Sequence, residues 1–359
     1  MKSVKGGPLL GQEILRELSE FRRKLESGAA MLPALDSLEV GTTPKSVIAQ
    51  IDKATLYRFD RDTPPRVRTP LLIIYALVNR HYVTDLEPRR SMIRRLLGAG
   101  LDVYLIDWGY PDRADGALTL DDYLNRYVDR FVDGIRSAHG IGSLNILGIC
   151  QGGTLGLCYA ALNAAKVRTL VTMVTPVDFH TPDNLLSKWV RDIDIDLMVD
   201  TLGNIPGEFL NWIFVSLKPA GHAGGKLFDI VDSLEDQDRV RTFFRMEKWI
   251  NDSPVQAGEA FREFVKAFFQ ENRLVSGDLQ IAGRPVRLAD VTMPVLNVYA
   301  SRDHIVPPAA SRALRVHVGC PDYSEFAFEG GHIGIYVSAK AQDIVAPHIA
   351  RWLEQRSDA

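Results

Sequence analysis

Apolar residues fall along this chain in short, nearly continuous runs, separated by longer stretches in which they recur every three or four positions. The runs are Leu71 to Leu77, Asp102 to Asp107, Leu144 to Ile149, Thr169 to Val174 and Pro294 to Ala300. They are too short for helices and too uniformly apolar for half-exposed strands, so they predict strands buried on both faces. Arg90 to Leu97, Leu120 to His139 (with aspartates near its start) and the stretch after Cys150 carry the helical period. Buried strands alternating with amphipathic helices predict an α/β fold, a mostly parallel sheet covered on both faces. An extended stretch around Ala54 to Phe59 and a turn at Pro64-Pro65 come first. Glu13 to Leu25 places Ile14, Leu18, Phe21 and Leu25 at helical spacing among charges, which predicts an amphipathic helix and not a signal peptide.

The alternation stops at Thr175-Pro176 and resumes at Met293-Pro294. This divides the chain into a core, 1–176 and 291–359, and an insertion, 177–290. The insertion is rich in aromatics (Trp189, Phe209, Trp212, Phe214, Phe243, Phe244, Trp249), expected mostly to form its own core as a lid or cap. Ser253, Pro254 and Gln256 read as the N-cap, first residue and capping box of a helix. Phe261, Phe264, Val265 and Phe268 are its apolar stripe.

One run ends in chemistry. Leu144 to Ile149 leads into Gly148-Ile149-Cys150-Gln151-Gly152, the strand–turn–helix pattern of an α/β-hydrolase nucleophile elbow with cysteine in place of serine. The turn must hold its nucleophile in a strained backbone conformation, and a Cβ at position 148 or 152 would meet the adjoining strand or helix. The unpaired amides of the helix start make the Gln151 N–H a donor for a developing oxyanion, and their field favours the Cys150 thiolate. An elbow needs an acid and then a histidine downstream. Asp303 follows the strand Pro294 to Ala300, and His332 follows Phe326-Ala327-Phe328 through Gly330-Gly331. His332 is then the base for Cys150, with Asp303 orienting it or acting on a second proton. His304 adjoins the aspartate and is a support residue.

The remaining features narrow the field. The 359 residues carry a formal net charge of -3, which gives no case for nucleic acid, and no basic run suggests a membrane surface. No apolar run is long enough to span a bilayer. Cys150, Cys158 and Cys320 show neither metal spacing nor a disulfide framework, as expected of a reducing compartment. Cys158 is expected to pack and Cys320 to lie in a loop. Asp192, Asp194 and Asp196 open like a calcium loop, but Leu197 and Gly203 stand where glycine and glutamate are required.

With these residues in place, the chain resembles the polyhydroxyalkanoate synthases. The box Gly148 to Gly153 is similar to that family's lipase-like box. Further matches are Leu105-Ile106-Asp107-Trp108-Gly109, Thr175 to Phe179, Met246 to Trp249, Asp303-His304 with Val306-Pro307-Pro308, and Gly330 to Gly334. The likeness is greatest to the catalytic subunit of the class III, two-component enzymes. It implies an α/β-hydrolase fold, the triad Cys150, His332 and Asp303, and a second oxyanion donor at the Val78 amide. It also implies (R)-3-hydroxyacyl-CoA, chiefly 3-hydroxybutyryl-CoA, as substrate, with CoA part of the substrate and no cofactor or metal. A PhaE-type second subunit, homo- and hetero-oligomers, and work at polyester granules in the cytoplasm are implied as well. The rival reading is a cysteine-dependent acyl-CoA thioesterase or dienelactone-type hydrolase. That enzyme needs the same triad in an open, wet site, against which the insertion argues.

Overall fold

The structure, a computed structural model, describes residues 38–217 and 236–357. The expected helix over Glu13 to Leu25 lies outside them. Two compact units are present: Gly41–Leu217 with Trp249–Ala359, and Met1–Val40 with Lys218–Lys248. In the smaller unit, Arg245 Nε and Lys248 Nζ donate to the carbonyls of Glu39 and Leu38, each at 3.0 Å.

The larger unit is built on a sheet of eight strands: β1 (Lys45–Ile51), β2 (Ala54–Phe59), β3 (Leu71–Ile74), β4 (Val103–Asp107), β5 (Leu144–Ile149), β6 (Val167–Met173), β7 (Val295–Ala300) and β8 (Tyr323–Phe328). Their spatial order is β1-β2-β4-β3-β5-β6-β7-β8. β1 and β2 are antiparallel additions at one edge, and the six strands β3 to β8 are mutually parallel. All four residues of β3 and all six of β5 are buried. Each large apolar side chain buried this way contributes roughly 1.5–3 kcal/mol relative to exposure. Buried polar pairs then fix the register. Asn145 lies opposite Thr169, whose hydroxyl donates to Asn145 Oδ1 at 2.8 Å. Thr172 lies opposite Asn297 and donates to its Oδ1 at 3.0 Å. A one-residue slip would strand these groups unpaired in an apolar interior.

Five of the six parallel strands fall where the apolar runs predict, with β3 ending at Ile74 and leaving Tyr75 to Leu77 outside the ladder. The helix expected from Arg90 begins at Met92, capped by Ser91, whose side chain accepts from Arg94 N. β1 shows no apolar run because it is an exposed edge strand, with Val47 and Ile48 facing solvent.

After β6 the chain leaves the sheet and returns at β7. Helices Leu185–Val190, Ile195–Leu202 and Gly207–Ser216 belong to this insertion, as does Gly258–Phe264, which runs on into a π-type stretch, Val265–Gln270. Phe264, Val265 and Phe268 are buried as the stripe predicts. The expected capping box is not formed. The helix starts at Gly258, with Ala257 as N-cap and no side-chain cap bond. Its first amides are satisfied from elsewhere: Gly258 N donates to Asn204 Oδ1 and Glu259 N to Gly116 O, both at 3.0 Å. Tertiary partners have replaced the local cap, freeing Ser253 and Gln256 for other contacts. Trp249 is buried, but Trp189 and Trp212 are exposed and so are not core residues.

Candidate active site

The strand order reverses at β3, which has β4 on one side and β5 on the other. The crevice beyond the carboxyl ends of β3 and β5 is where open α/β sheets bind ligands. Cys150 sits there, between β5 and the helix Gln151–Leu162, at φ 54° and ψ −125°. The sequence makes this strained turn possible by omitting side chains around it. A Cβ on Gly148 would press on Gly153, and one on Gly152 would press on the Ile74 and Tyr75 carbonyls. The Cys150 amide is anchored to Met173 O at 2.8 Å. Cys150 is half-buried, whereas Cys158 and Cys320 are buried. Burial pushes the Cys158 thiol up to about 12, as befits a packing residue.

The register of β7 and β8 brings together the residues expected to serve as acid and base. The two strands pair from Val295 opposite Tyr323 to Ala300 opposite Phe328. The chains beyond them stay joined, through Ser301 N to Phe328 O at 2.8 Å and Arg302 N to Gly330 O at 2.9 Å. Asp303 and His332 therefore meet. His332 Nδ1 and Asp303 Oδ2 are 2.7 Å apart, and both residues are buried. Asp303 Oδ1 accepts from Ile305 N and Val306 N, each at 2.9 Å, so both carboxylate oxygens are engaged. His304 is exposed. Burial alone pulls the His332 pKa down. The charges of Asp303 and Cys150, with hydrogen bonds to both, outweigh it and push the imidazole up to about 10. An imidazolium held between a carboxylate and a sulfur is the arrangement that stabilises a thiolate nucleophile.

Two groups at this site carry no sequence motif. Tyr75, just past β3, and Tyr336 are buried, share a hydrogen bond, and feel the charge of Cys150. Burial first, then the neighbouring negative groups, raises both phenols, so they stay neutral. The Tyr75 carbonyl accepts from Trp108 Nε1 at 2.9 Å. Trp108 stands in the stretch Leu105 to Gly109, the one signal that could have pointed here.

The two expected oxyanion donors lie at the elbow and in the turn after β3. The Gln151 amide opens its helix, and Val78 lies in the turn after β3. Neither N–H makes any hydrogen bond found among the described residues. The two segments are tied together, because Leu77 N donates to the Gln151 side-chain Oε1 at 3.0 Å.

Sheet order, elbow and acid–base pair define an α/β-hydrolase-fold enzyme. A family model described as alpha/beta hydrolase fold matches residues 69–339, and one described as Poly-beta-hydroxybutyrate polymerase (PhaC) N-terminus matches residues 11–96. The chain is 56% identical over 346 residues to poly(3-hydroxyalkanoate) polymerase subunit PhaC of Allochromatium vinosum, covering 96% of this chain and 98% of that one. It is 54% identical over 348 residues to the subunit of the same name from Thiocystis violacea, with 96% and 98% covered. Among solved structures, a carboxylesterase of Nitrososphaera gargenis aligns over 86% of this chain and 99% of its own, at TM-score 0.52 and 16% identity. That is a likeness of fold. The chain belongs to the PhaC family of poly(3-hydroxyalkanoate) polymerases, and is accordingly an acyltransferase. No helix among the described residues is long and apolar enough to cross a membrane.

Proposed function

We propose that this chain polymerises (R)-3-hydroxyacyl-CoA, chiefly 3-hydroxybutyryl-CoA, through an acyl thioester on Cys150, releasing CoA. The observation that carries this reading is the half-buried cysteine at an elbow beside an imidazole charged by Asp303 and by the sulfur itself. His332 takes the Cys150 proton, and the thiolate attacks the substrate thioester carbonyl. The oxyanion is received by the amides of Val78 and Gln151. The carbon–sulfur bond to CoA breaks, and CoA leaves with the proton from His332. A hydroxyl of a second 3-hydroxyacyl unit next gives its proton to His332 and attacks the stored acyl group. Cys150 departs and recovers that proton. Exchange between two thiols is nearly thermoneutral, whereas forming an oxygen ester from a thioester runs downhill and drives elongation.

The engagement of both Asp303 oxygens supports His332 as the base in both halves, with Asp303 acting through it. The insertion serves as a lid that keeps water from the thioester. The family likeness supports a class III assignment, with a PhaE-type second subunit, hetero-oligomeric assembly and work at the surface of polyester granules.

The test is to incubate the purified chain with (R)-3-hydroxybutyryl-CoA, with and without a PhaE-type subunit, following CoA and the acyl product together. Insoluble polyester with CoA release, faster with the partner and lost in Cys150→Ser, is the expected result. CoA release with only free 3-hydroxybutyrate makes the chain a thioesterase, and full rate without the partner refutes the two-component assignment.

A further inference from the structure

The turn after β3 that bears Val78 is gripped from two sides. On the sheet side, Gln151 Oε1 holds Leu77 N. The buried Arg80 is fixed by Asp107 at the end of β4, Nη2 to Oδ2 at 2.8 Å, and its Nη1 donates to Gly109 O at 2.8 Å. On the other side lies a strap of the insertion, residues 249–256. Trp249 Nε1 donates to Arg80 O at 2.7 Å. Gln256 Nε2 donates to Leu77 O at 2.9 Å, and its own backbone is locked in a two-bond bridge with Ile205, at 2.9 and 3.0 Å. Asn79 adopts φ 60°, a conformation that side-chain-bearing residues rarely take. Its Nδ2 donates to Ser253 Oγ at 2.5 Å, and Ser253 Oγ donates to Asn211 Oδ1 at 2.7 Å. The Val78 side chain packs against the insertion's own apolar cluster of Ile195, Val199, Ile205, Leu210 and Val265. Residues 77 to 80 are thus each held by the insertion, through a carbonyl, a side-chain amide or an apolar contact.

We propose that Gln256 and Asn79 are positioning residues that aim the Val78 N–H at the reacting carbonyl, so that the insertion completes the acyl-transfer site. This rests on the acyl-transfer reading above. An oxyanion donor acts only if it is fixed within hydrogen-bond distance of where the charge develops. With Gln256 removed, Leu77 O loses its hold from the insertion and Val78 is no longer aimed. The thiol is untouched by this change, because Cys150, His332 and Asp303 are placed by β5, β7 and β8.

The experiment compares the full-length chain with Gln256→Met in two reactions. CoA release from (R)-3-hydroxybutyryl-CoA passes through an oxyanion. Alkylation of Cys150 by iodoacetamide is a displacement at carbon that forms none, but it needs the intact thiol–imidazole pair. Gln256→Met should lose about 100-fold in kcat for CoA release, with KM and the alkylation rate within about threefold of the parent. A kcat within about threefold of the parent, or alkylation falling in proportion to kcat, overturns the proposal. If Gln256→Met does not fold, Asn79→Gly decides by the same criteria, since glycine accepts the backbone conformation but lacks the amide. CoA release is scored whatever becomes of the acyl group. A parent chain that makes only free hydroxy acid therefore sinks the polymerisation reading and leaves this comparison standing.

Discussion

Gly152→Ala is the most direct probe of the elbow. The carbonyl oxygen of Tyr75 lies 2.6 Å from where the new Cβ would sit, its carbonyl carbon 2.5 Å, and the Ile74 oxygen nearer still, while real Cβ atoms essentially never come within 3.0 Å. All three atoms are main chain, so no side chain can swing aside. Either the helix start or the end of β3 must shift by about 0.5–1 Å, and misplacements near 1 Å cost about 100-fold in rate. The shift falls on the segments that carry Cys150, Gln151 and Val78. Overpacking should also lower stability by roughly 1–3 kcal/mol. Gly156, one turn further along the same helix, is the control: a Cβ there meets nothing nearer than 3.8 Å. Gly156→Ala should keep its activity and gain roughly 0.5–1 kcal/mol from helix propensity. The assay pairs steady-state CoA release with thermal melting for the parent and both variants. Near-parental turnover in Gly152→Ala, or equal damage in Gly156→Ala, would refute the reasoning.

Asp303→Asn removes the charge that keeps His332 protonated, and burial then pulls the imidazole down from about 10. The initial burst of CoA and the later steady rate should both fall by about 10²–10⁴-fold, and iodoacetamide labelling of Cys150 near neutral pH should slow with them. A burst left intact beside slowed elongation would show that Asp303 serves the hydroxyl directly. The same raised pKa makes a stability prediction. The charged imidazole stabilises the fold fully below its ordinary 6.5, and that contribution is lost as pH rises through about 10. Across that window the group should remove up to about 1.4 kcal/mol of stability per pH unit, as measured by denaturant unfolding at several pH values. His332→Gln should lack that slope, and parallel profiles for parent and variant would overturn the assignment.

The sequence was most legible where one strand decides one residue. Cys150 and Asp303 each follow a buried strand closely, His332 follows the half-buried edge strand β8, and parallel pairing carries all three to one edge of the sheet. Legibility failed where distant segments compete for the same atoms. Ser253 and Gln256 have the spacing of a capping box, yet Asn79 and Leu77 claim their side chains, and Asn204 and Gly116 cap the helix instead. Tyr75 is indistinguishable in sequence from the strand residues before it, and Tyr336 has no local pattern. Their meeting depends on two segments some 260 positions apart in the chain. β1 escaped notice because an edge strand with exposed apolar residues leaves no buried run to read.

The base of the proposed triad hangs from β8, the edge strand opposite β1, which has a main-chain partner on one side only. The nucleophile and the acid follow β5 and β7, which are flanked on both sides. Edge strands open with less free energy than the strands they border. Warming is therefore expected to withdraw His332 before the interior of the sheet opens. Activity should then fall at temperatures where the far-UV circular dichroism of the sheet is unchanged and should return on cooling, whereas loss of both together would tie inactivation to melting of the whole molecule.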